Sequence, residues 1–251
     1  MSLGFWSDGI AKMHTAMMHI RLNAAEPTIV LGPSQHLYQA AAMIVNIFVA
    51  VPASLRHHRA KAIRWNVVFR MMPAGIIMIT FGVLASDLFA GRQLRLVFSV
   101  FLVYVIYINV MKLLGSKAEP TEGEERPTWP RASSVGTITG FMAGLLGIGG
   151  GIVTVPLLQR ICVLPLRQCI ACSSAVMCLT AIVGACIKNA TLHQHGHEIS
   201  SSLQIAACLA PTALVGGLIG ASLTHVLPLK VVRVAFILLM SAGALRMIGV
   251  I

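Results

Sequence analysis

The chain has 251 residues, of which 57% are hydrophobic and 11% charged, and its mean hydropathy is +0.82. These values exclude a soluble globular domain, because such domains carry about 25% charged residues. The formal net charge of +11 does not indicate nucleic-acid binding, because the cations lie in short connections between apolar stretches, as in the run from Arg56 to Arg64. Basic connections of this kind orient membrane helices, so the composition predicts a multi-pass protein of the lipid bilayer with no nucleic-acid partner.

The first thirty residues differ from the rest of the chain. They carry charged and titratable side chains, among them Asp8, Lys12, His14 and Arg21. Such a stretch is a poor spanning helix, and it lacks the apolar core and small-residue cleavage site of a secretion signal. We therefore predict an interfacial amphipathic segment over residues 1–30.

Six long apolar stretches predict membrane spans, three on each side of a polar linker. The linker, residues 115–131, is rich in Pro, Gly and Glu and is expected in the cytoplasm. It divides the chain into two membrane modules, residues 31–114 and 132–251. The spans are expected at about residues 34–55, 66–88 and 94–113 in the first module and at about 168–189, 201–226 and 230–250 in the second.

Basic residues predict the orientation of the first module. The loop at residues 56–64 and the linker with its flanks both carry several cations. Two spans separate them, so they lie on one side of the membrane, and this side is expected to be cytoplasmic. In the second module the cations conflict, because Lys188 favours one orientation whereas Lys230 and Arg233 favour the other. Whether residues 132–164 cross the membrane once or re-enter is left open at this point.

An internal repeat relates the two modules. A shift of 138 residues superimposes Pro73 on Pro211 and Gly82 on Gly220 without a gap. This regularity predicts that one three-span unit occurs twice. The same shift aligns residues 2–24 with a glycine-rich segment of the second module. Residues 2–24 contain no triple glycine, so the glycine-rich segment occurs once.

The glycine-rich segment, which includes "GFMAGLLGIGGGIVTVPLL", contains two kinds of glycine. Gly136, Gly140 and Gly144 recur every four residues, which predicts a helix face that another helix approaches closely. The next glycines, together with Pro156, make a continuous helix unfavourable, because glycine permits positive φ and proline removes a backbone donor. These next glycines are Gly147, Gly149, Gly150 and Gly151.

A helix break at membrane depth has two interpretations. Backbone groups in hydrocarbon must find partners in the protein or in a watery cavity, so a break predicts a polar cavity of the kind that transporters use to bind ions. The alternative is tight packing of the glycines against a neighbouring helix, with no ligand.

The glycine run leading to Pro156, the Ser-containing span that follows and the internal duplication resemble the sulfite exporter TauE/SafE family of membrane permeases. The resemblance covers residues 27–251, with the first glycine-rich segment degenerate or absent. It implies export of a small inorganic or organic sulfur oxyanion across a bacterial inner membrane. The expected fold is an all-α polytopic membrane protein with about seven transmembrane segments, made of two related three-span modules and a broken glycine-rich helix.

The resemblance also implies that the glycine run and Pro156 form the substrate site. Polar residues near the starts of two repeat-related spans would add hydrogen-bonding groups without fixed charge. Asn46 lies near the centre of a span, where an amide either faces the cavity or forms a hydrogen bond to a neighbouring helix. For the serines, a hydrogen bond to the backbone of their own helix is the alternative. No cofactor and no metal are expected. The candidate substrate-binding residues are Gly147, Gly149, Gly150, Gly151, Pro156, Ser173, Ser174, Gln35, His36 and Asn46.

Transport could be coupled to protons, but the sequence does not identify the residue that would carry the proton. Asp87 is placed at a helix end, and His36 is the candidate inside the repeat-related region. Arg70 lies just inside a span and is expected to extend its guanidinium to the membrane interface. Homo-oligomerisation is left open.

Three other functions are alternatives to anion transport. A metal-cation permease would use His193, His195 and His197, or the cysteines, among them the Cys-x-x-Cys pair Cys169 and Cys172. A membrane scaffold without transport would fit the missing first glycine-rich segment. A membrane enzyme has the least support, because the sequence shows no carboxylate pair and no nucleophile with a base.

Overall fold

The computed structural model describes residues 33–89, 91–114, 126–195 and 198–248, which form helices joined by short turns. The predicted interfacial segment, residues 1–30, and most of the predicted linker lie outside these residues. In chain order the helices are α1 (Pro33–Arg59), α2 (Trp65–Leu88), α3 (Gly91–Leu114), α4 (Trp129–Leu146), α5 (Gly151–Leu157), a π-helical turn (Leu158–Cys162), α6 (Leu166–Thr191), a 3₁₀ turn (Leu192–His195), α7 (Ile199–Val226) and α8 (Leu229–Ile248).

These helices confirm the expected all-α polytopic membrane fold. Each predicted span coincides with one helix, namely α1, α2 and α3 in the first half and α6, α7 and α8 in the second. Two shorter apolar stretches, Leu96–Met111 and Gly151–Cys162, lie in α3 and in the α5 region. Within the described parts of the chain, four helical segments are long and apolar enough to cross a membrane: His36–Arg59, Trp65–Leu88, Leu166–Gln194 and Ile199–Val226.

The helix bounds follow the repeat found in the sequence. Helix α2 ends at Leu88 and α7 ends at Val226, and α3 begins at Gly91 and α8 at Leu229, so each pair is 138 residues apart. Helices α1, α2 and α3 therefore correspond to α6, α7 and α8.

Glycines bring α2 and α4 into backbone contact. A Cβ added at Gly136 would lie 2.3 Å from the carbonyl oxygen of Met71, and one added at Gly140 would lie 2.3 Å from that of Gly75. The contacts advance in step along both helices, so α2 and α4 run parallel. The close helix approach predicted from the four-residue glycine spacing is confirmed.

The predicted break in the glycine-rich helix is present, and the chain turns back there. Helix α4 ends at Leu146, and α5 begins at Gly151 and continues into the π-helical turn. At the end of that turn the carbonyl oxygen of Cys162 accepts a hydrogen bond of 3.0 Å from the backbone N–H of Arg126, which lies just before α4. The segment therefore re-enters: it begins and ends at the same end of the bundle.

Most basic connections lie at that end, which we call the basic end. There Arg64, before α2, donates from Nε to Oε1 of Gln168 on α6 at 3.2 Å. Arg56, in the last turn of α1, donates from Nε to Oγ of Ser222 on α7 at 3.2 Å. Arg70 reaches this end as expected and donates to the carbonyl oxygen of Pro127.

Lys188 lies at the opposite end, where α1 begins and where α2 and α6 end. Its side chain is fully buried, so it is not a loop charge of the kind that orients membrane helices. The conflict between Lys188 and the Lys230–Arg233 pair is therefore resolved in favour of the pair. Helix α1 runs toward the basic end and its repeat partner α6 runs away from it, so the two modules have inverted orientations.

The re-entrant path predicts the sidedness of four exposed positions. In a variant without native cysteines, Lys61→Cys, Thr128→Cys and Arg160→Cys should react with an impermeant maleimide from the cytoplasmic side, because all three lie at the basic end. Glu198→Cys, at the opposite end, should react from outside the cell. Labelling of Arg160→Cys and Thr128→Cys from different sides would contradict re-entry.

The glycine contact predicts an unequal response to added methyl groups. Gly140→Ala should lower the free energy of unfolding by about 1–3 kcal/mol, because the new Cβ cannot fit against the Gly75 carbonyl. Gly216→Ala on α7 is the matched control, because a Cβ there meets no described atom within 4 Å. Thermal unfolding in detergent measures both, and equal stabilities would disprove the backbone contact.

Candidate functional site

The break between α4 and α5 has a backbone that favours glycine. Gly147, Gly149 and Gly150 have φ values of 73°, 67° and 80°, in the left-handed region. The space is equally restrictive, because a Cβ at Gly147 would lie 2.3 Å from Cγ of Gln39. At Gly149 it would lie 2.9 Å from Nδ2 of Asn46. Helix α1 thus packs its polar side chains directly onto the break.

Two amide side chains of α1 satisfy the carbonyl groups that end α4. Gln39 donates from Nε2 to the carbonyl oxygen of Leu145 at 2.8 Å and to that of Gly144 at 3.3 Å. Asn46 donates from Nδ2 to the carbonyl oxygen of Gly147 at 3.3 Å. The last carbonyls of any helix lack intrahelical partners, so in a membrane these two amides replace the water that would otherwise bind there.

Hydroxyl groups line the α5 side of the break. Thr154 on α5 donates to the carbonyl oxygen of Gly150 at 2.8 Å, and its Oγ1 lies 3.3 Å from Oγ1 of Thr139 on α4. Ser173 on α6 donates to the carbonyl oxygen of Gly151 at 3.4 Å. The break is therefore surrounded by neutral polar groups from α1, α4, α5 and α6.

One buried acceptor of this site has no hydrogen-bond partner among the described residues. It is Oε1 of Gln39, whose side chain is 4% exposed. The amide cannot be flipped to satisfy it, because Nε2 is the atom that faces two carbonyl oxygens. A buried acceptor left in this way is completed by water or by a ligand that donates a hydrogen bond.

The structure brings some of the sequence-predicted site residues together at the break and places others elsewhere. The four glycines, Asn46 and Ser173 meet at the break, and Pro156 is buried farther along α5. Ser174 does not take part, because its hydroxyl donates to the carbonyl oxygen of Ala171 in its own helix. His36 lies in a separate cluster, and the side chain of Gln35 lies outside the described part of the chain.

That separate cluster centres on Lys188 at the opposite end of the bundle. The ammonium nitrogen lies 2.5 Å from Oδ1 of Asp87, 2.9 Å from Nδ1 of His36 and 3.0 Å from Oγ of Ser86. Lys188 is fully buried, whereas the side chain of Asp87 is 12% exposed. A buried ion pair thus joins α2 of the first module to α6 of the second, with α1 contributing the imidazole.

Sequence reasoning missed several polar residues in these two sites. Gln39 lies inside a predicted span, and Asp87 and Lys188 lie near the ends of two others, but the sequence alone does not assign these three residues to a site. The available signal was their rarity, since a charge inside an apolar helix normally finds a partner. Which charge pairs with which depends on helix packing, so the pattern along the chain could not identify the pair.

The structure does not bring the cysteine pair of the metal-binding alternative together with His193. Cys169 and Cys172 lie in the first two turns of α6, whereas His193 lies beyond its last turn, on the 3₁₀ turn. A helix of this length separates them by about 1.5 Å for each residue, or roughly 30 Å. Among the described residues, no three His, Cys, Asp or Glu side chains come together as a metal site. His197 lies outside the described residues.

A comparison with known protein families identifies the family of this chain. Residues 24–247 match the family described as sulfite exporter TauE/SafE. The chain belongs to this family. The resemblance stated from the glycine run and the duplication is confirmed, and so is the multi-pass membrane location.

Relatives of this TauE/SafE protein carry transporter names. The chain is 26% identical over 260 residues to "Probable membrane transporter protein MamO" of Paramagnetospirillum magneticum, a match that covers 90% of this chain and 40% of MamO. It is 25% identical over 238 residues to "Probable membrane transporter protein YunE" of Bacillus subtilis, with 85% and 79% covered. It is 26% identical over 199 residues to "Probable membrane transporter protein MJ0441" of Methanocaldococcus jannaschii, with 76% and 70% covered.

The chain spans about two fifths of the length of MamO and more than two thirds of the other two relatives. No solved structure matches the chain.

The carbonyl contacts of Gln39 predict a stability effect. Gln39→Leu should lower the free energy of unfolding by about 1–3 kcal/mol, because it leaves the carbonyl oxygens of Gly144 and Leu145 without these donors. Asn109→Leu is the matched control, because Asn109 donates to Val105 within its own helix. Unfolding in detergent measures the two, and a smaller effect for Gln39→Leu than for Asn109→Leu would contradict the capping role.

The ion pair predicts a non-additive double variant. Lys188→Met should destabilise the protein by about 3–5 kcal/mol, because it leaves the largely buried Asp87 carboxylate without its cation. Adding Asp87→Asn should restore most of the loss, because no unpaired charge then remains. The thermal stability of both single variants and of the double variant gives the coupling energy, and simple additivity would show that the pair does not interact.

Proposed function

We propose that this TauE/SafE protein is a secondary transporter that carries a small oxyanion, such as sulfite or an organosulfonate, across the membrane. The observation that supports this proposal best is the break at the tip of the re-entrant hairpin, where neutral polar groups of both modules surround an interrupted backbone. Interrupted helices at the interface of inverted repeats are the usual binding sites of secondary transporters. The family description and the names of the relatives support transport as well.

The chemistry of the break suits an oxyanion. The described side chains that contact it carry amide and hydroxyl groups from Gln39, Asn46, Thr154 and Ser173, and none of these is a carboxylate that would repel an anion. Hydrogen-bond donors of this kind can replace the water shell of an anion as it leaves the aqueous phase. In this structure Gln39, Thr154 and Ser173 donate to backbone carbonyl oxygens, so we propose that they exchange these carbonyls for the anion when it binds. The open acceptor on Gln39 adds a place for a protonated oxygen, as in hydrogen sulfite.

The packing indicates which parts move together during transport. Helices α2 and α4 are in backbone contact through glycines, so the hairpin is expected to move with α2. Gly217 of α7 approaches the backbone of α1 at Val49 in the same close manner. We propose that alternating access is a movement of the α2–hairpin unit against α6, with the break exposed to one side at a time.

The test of this proposal is flux of radiolabelled sulfite and methanesulfonate in proteoliposomes. Wild-type protein should move at least one of the two anions, and Gly150→Leu should reduce its flux to that of empty vesicles. A Cβ at Gly150 would lie 2.8 Å from Cγ2 of Thr139, and the φ of 80° at this residue is one that side chains with a Cβ rarely adopt. Gly216→Leu is the matched control on α7, where a Cβ has open space, and it should keep wild-type flux.

Two results would overturn the proposal. Undiminished flux in a folded Gly150→Leu protein would show that the anion does not pass the break. Absence of flux in the wild type for both anions would favour a membrane scaffold instead.

A further inference from the structure

The Lys188 cluster is a saturated ion pair. An ammonium group has three N–H donors, and Lys188 has three acceptors within 3.0 Å, on Asp87, His36 and Ser86. Ser86 can accept this bond because its own hydroxyl proton goes to the carbonyl oxygen of Val83 at 2.7 Å. The geometry therefore fixes Lys188 as the donor in every one of these contacts.

The same geometry assigns the tautomer of His36. Because an ammonium group can only donate, Nδ1 of His36 is assigned as the acceptor and the ring proton to Nε2. Nδ1 lies 3.7 Å from Oδ1 of Asp87. Within the pair, the positive charge of Lys188 and the negative charge of Asp87 cancel.

A cleft reaches one member of the cluster. It has a volume of about 480 Å³, lies at the opposite end, and is lined by Asp87, by the apolar residues Phe81, Leu84, Ala85 and Leu88 of α2, and by Thr191 and Gln194, which follow Lys188 along the chain. Lys188, His36 and Ser86 do not line it. Asp87 is therefore the member of the cluster that borders the cleft.

Among the described residues, three elements bring titratable or polar groups toward Asp87. Helix α1 contributes the titratable His36, and α6 contributes the charged Lys188. The 3₁₀ turn contributes the uncharged Gln194 to the cleft, and the titratable His193 on the same turn is exposed. Of these groups, Lys188 is the charge in direct contact with the carboxylate.

The cluster lies close to the tip of the re-entrant hairpin. His36 and Gln39 are three residues apart on α1 and therefore occupy the same face of that helix, about one turn apart. Gln39 holds the carbonyl oxygens of Gly144 and Leu145 at the end of α4. A change in the position of α1 or α6 at the Lys188 cluster is consequently transmitted to the proposed anion site within one helical turn.

We propose that Asp87 is the proton-binding group that couples anion transport to the movement of protons, and that Lys188 is its counter-ion. This proposal rests on the transport function proposed above. In the step we envisage, a hydronium ion or buffer acid in the cleft transfers its proton to the Asp87 carboxylate. An O–H bond forms on Asp87, the O–H bond of the donor breaks, and the conjugate base stays in the cleft.

Protonation of Asp87 adds one positive charge to the cluster. Lys188 then remains charged without its carboxylate, a state that a buried site stabilises only by attracting another anion or by opening. The substrate oxyanion, one turn away at the break, supplies the missing negative charge. Proton and anion therefore favour each other's binding and move together. When α2 and α6 close again around Lys188, the ammonium displaces the proton to the water that the carboxylate then contacts.

The experiment uses methanesulfonate, which is ionised at all relevant pH values and carries no titratable proton of its own. Full-length protein is reconstituted in vesicles that contain a pH-sensitive dye. With wild-type protein, an acidic exterior should accelerate uptake of labelled methanesulfonate, and the dye should report acidification of the lumen that requires the anion. The double variant Asp87→Asn/Lys188→Met removes both charges at nearly constant volume and should lose both effects. Glu198→Gln, an exposed carboxylate at the same end, should retain them.

Two flux results would overturn the proton site. One is a double variant whose uptake still responds to the pH gradient. The other is a wild type that exchanges methanesulfonate with no proton movement, which would leave the transport proposal intact.

An infrared measurement tests the proton site without any flux. Acidification of wild-type protein should produce the C=O band of a protonated carboxyl group that is missing from the double variant. The same band in both proteins would overturn the assignment of Asp87. Because this measurement does not need transport, failure of the proposed function and failure of the proton site remain distinguishable.

Discussion

The structure depends on one constraint, which is that backbone groups in the hydrocarbon layer must be hydrogen-bonded by protein. The break at Gly147–Gly150 interrupts the helix hydrogen bonds in the middle of the bundle. Gln39 and Asn46 of α1, Ser173 of α6 and the hydroxyl of Thr154 satisfy the carbonyl groups that the break leaves open. The positions of α1 and α6 against the hairpin are thus set by the backbone of the hairpin.

The glycine contacts between α2 and α4 also help to satisfy the backbone groups at the break. By allowing the two backbones to touch, Gly136, Gly140 and Gly144 let α4 enter the bundle deeply enough for its end to reach Gln39. The ion pair between Asp87 and Lys188 then lies beyond the hairpin tip and links the same two modules a second time. A polar site and a charged site therefore follow one another along the path from the break to the opposite end.

The sequence was sufficient for the spans, the repeat and the break, because each depends on local composition or on spacing along the chain. Apolar length sets the spans, the 138-residue shift identifies the repeat, and four crowded glycines before Pro156 end the helix. Re-entry was left open, since it is decided by a contact between Arg126 and Cys162 that no local pattern encodes. The roles of Gln39, Asp87 and Lys188 were missed for the same reason.

The inverted orientation of α1 and α6 has a consequence for how such a chain can vary. A segment that enters and leaves the membrane on the same side adds no crossing. The helices that follow it therefore keep the same orientation in the membrane. Helices α6, α7 and α8 would keep their direction whether residues 126–164 formed a hairpin or a surface loop. A re-entrant element is therefore the one kind of membrane segment that one copy of an inverted repeat can carry and the other can lack, without turning the rest of the protein over.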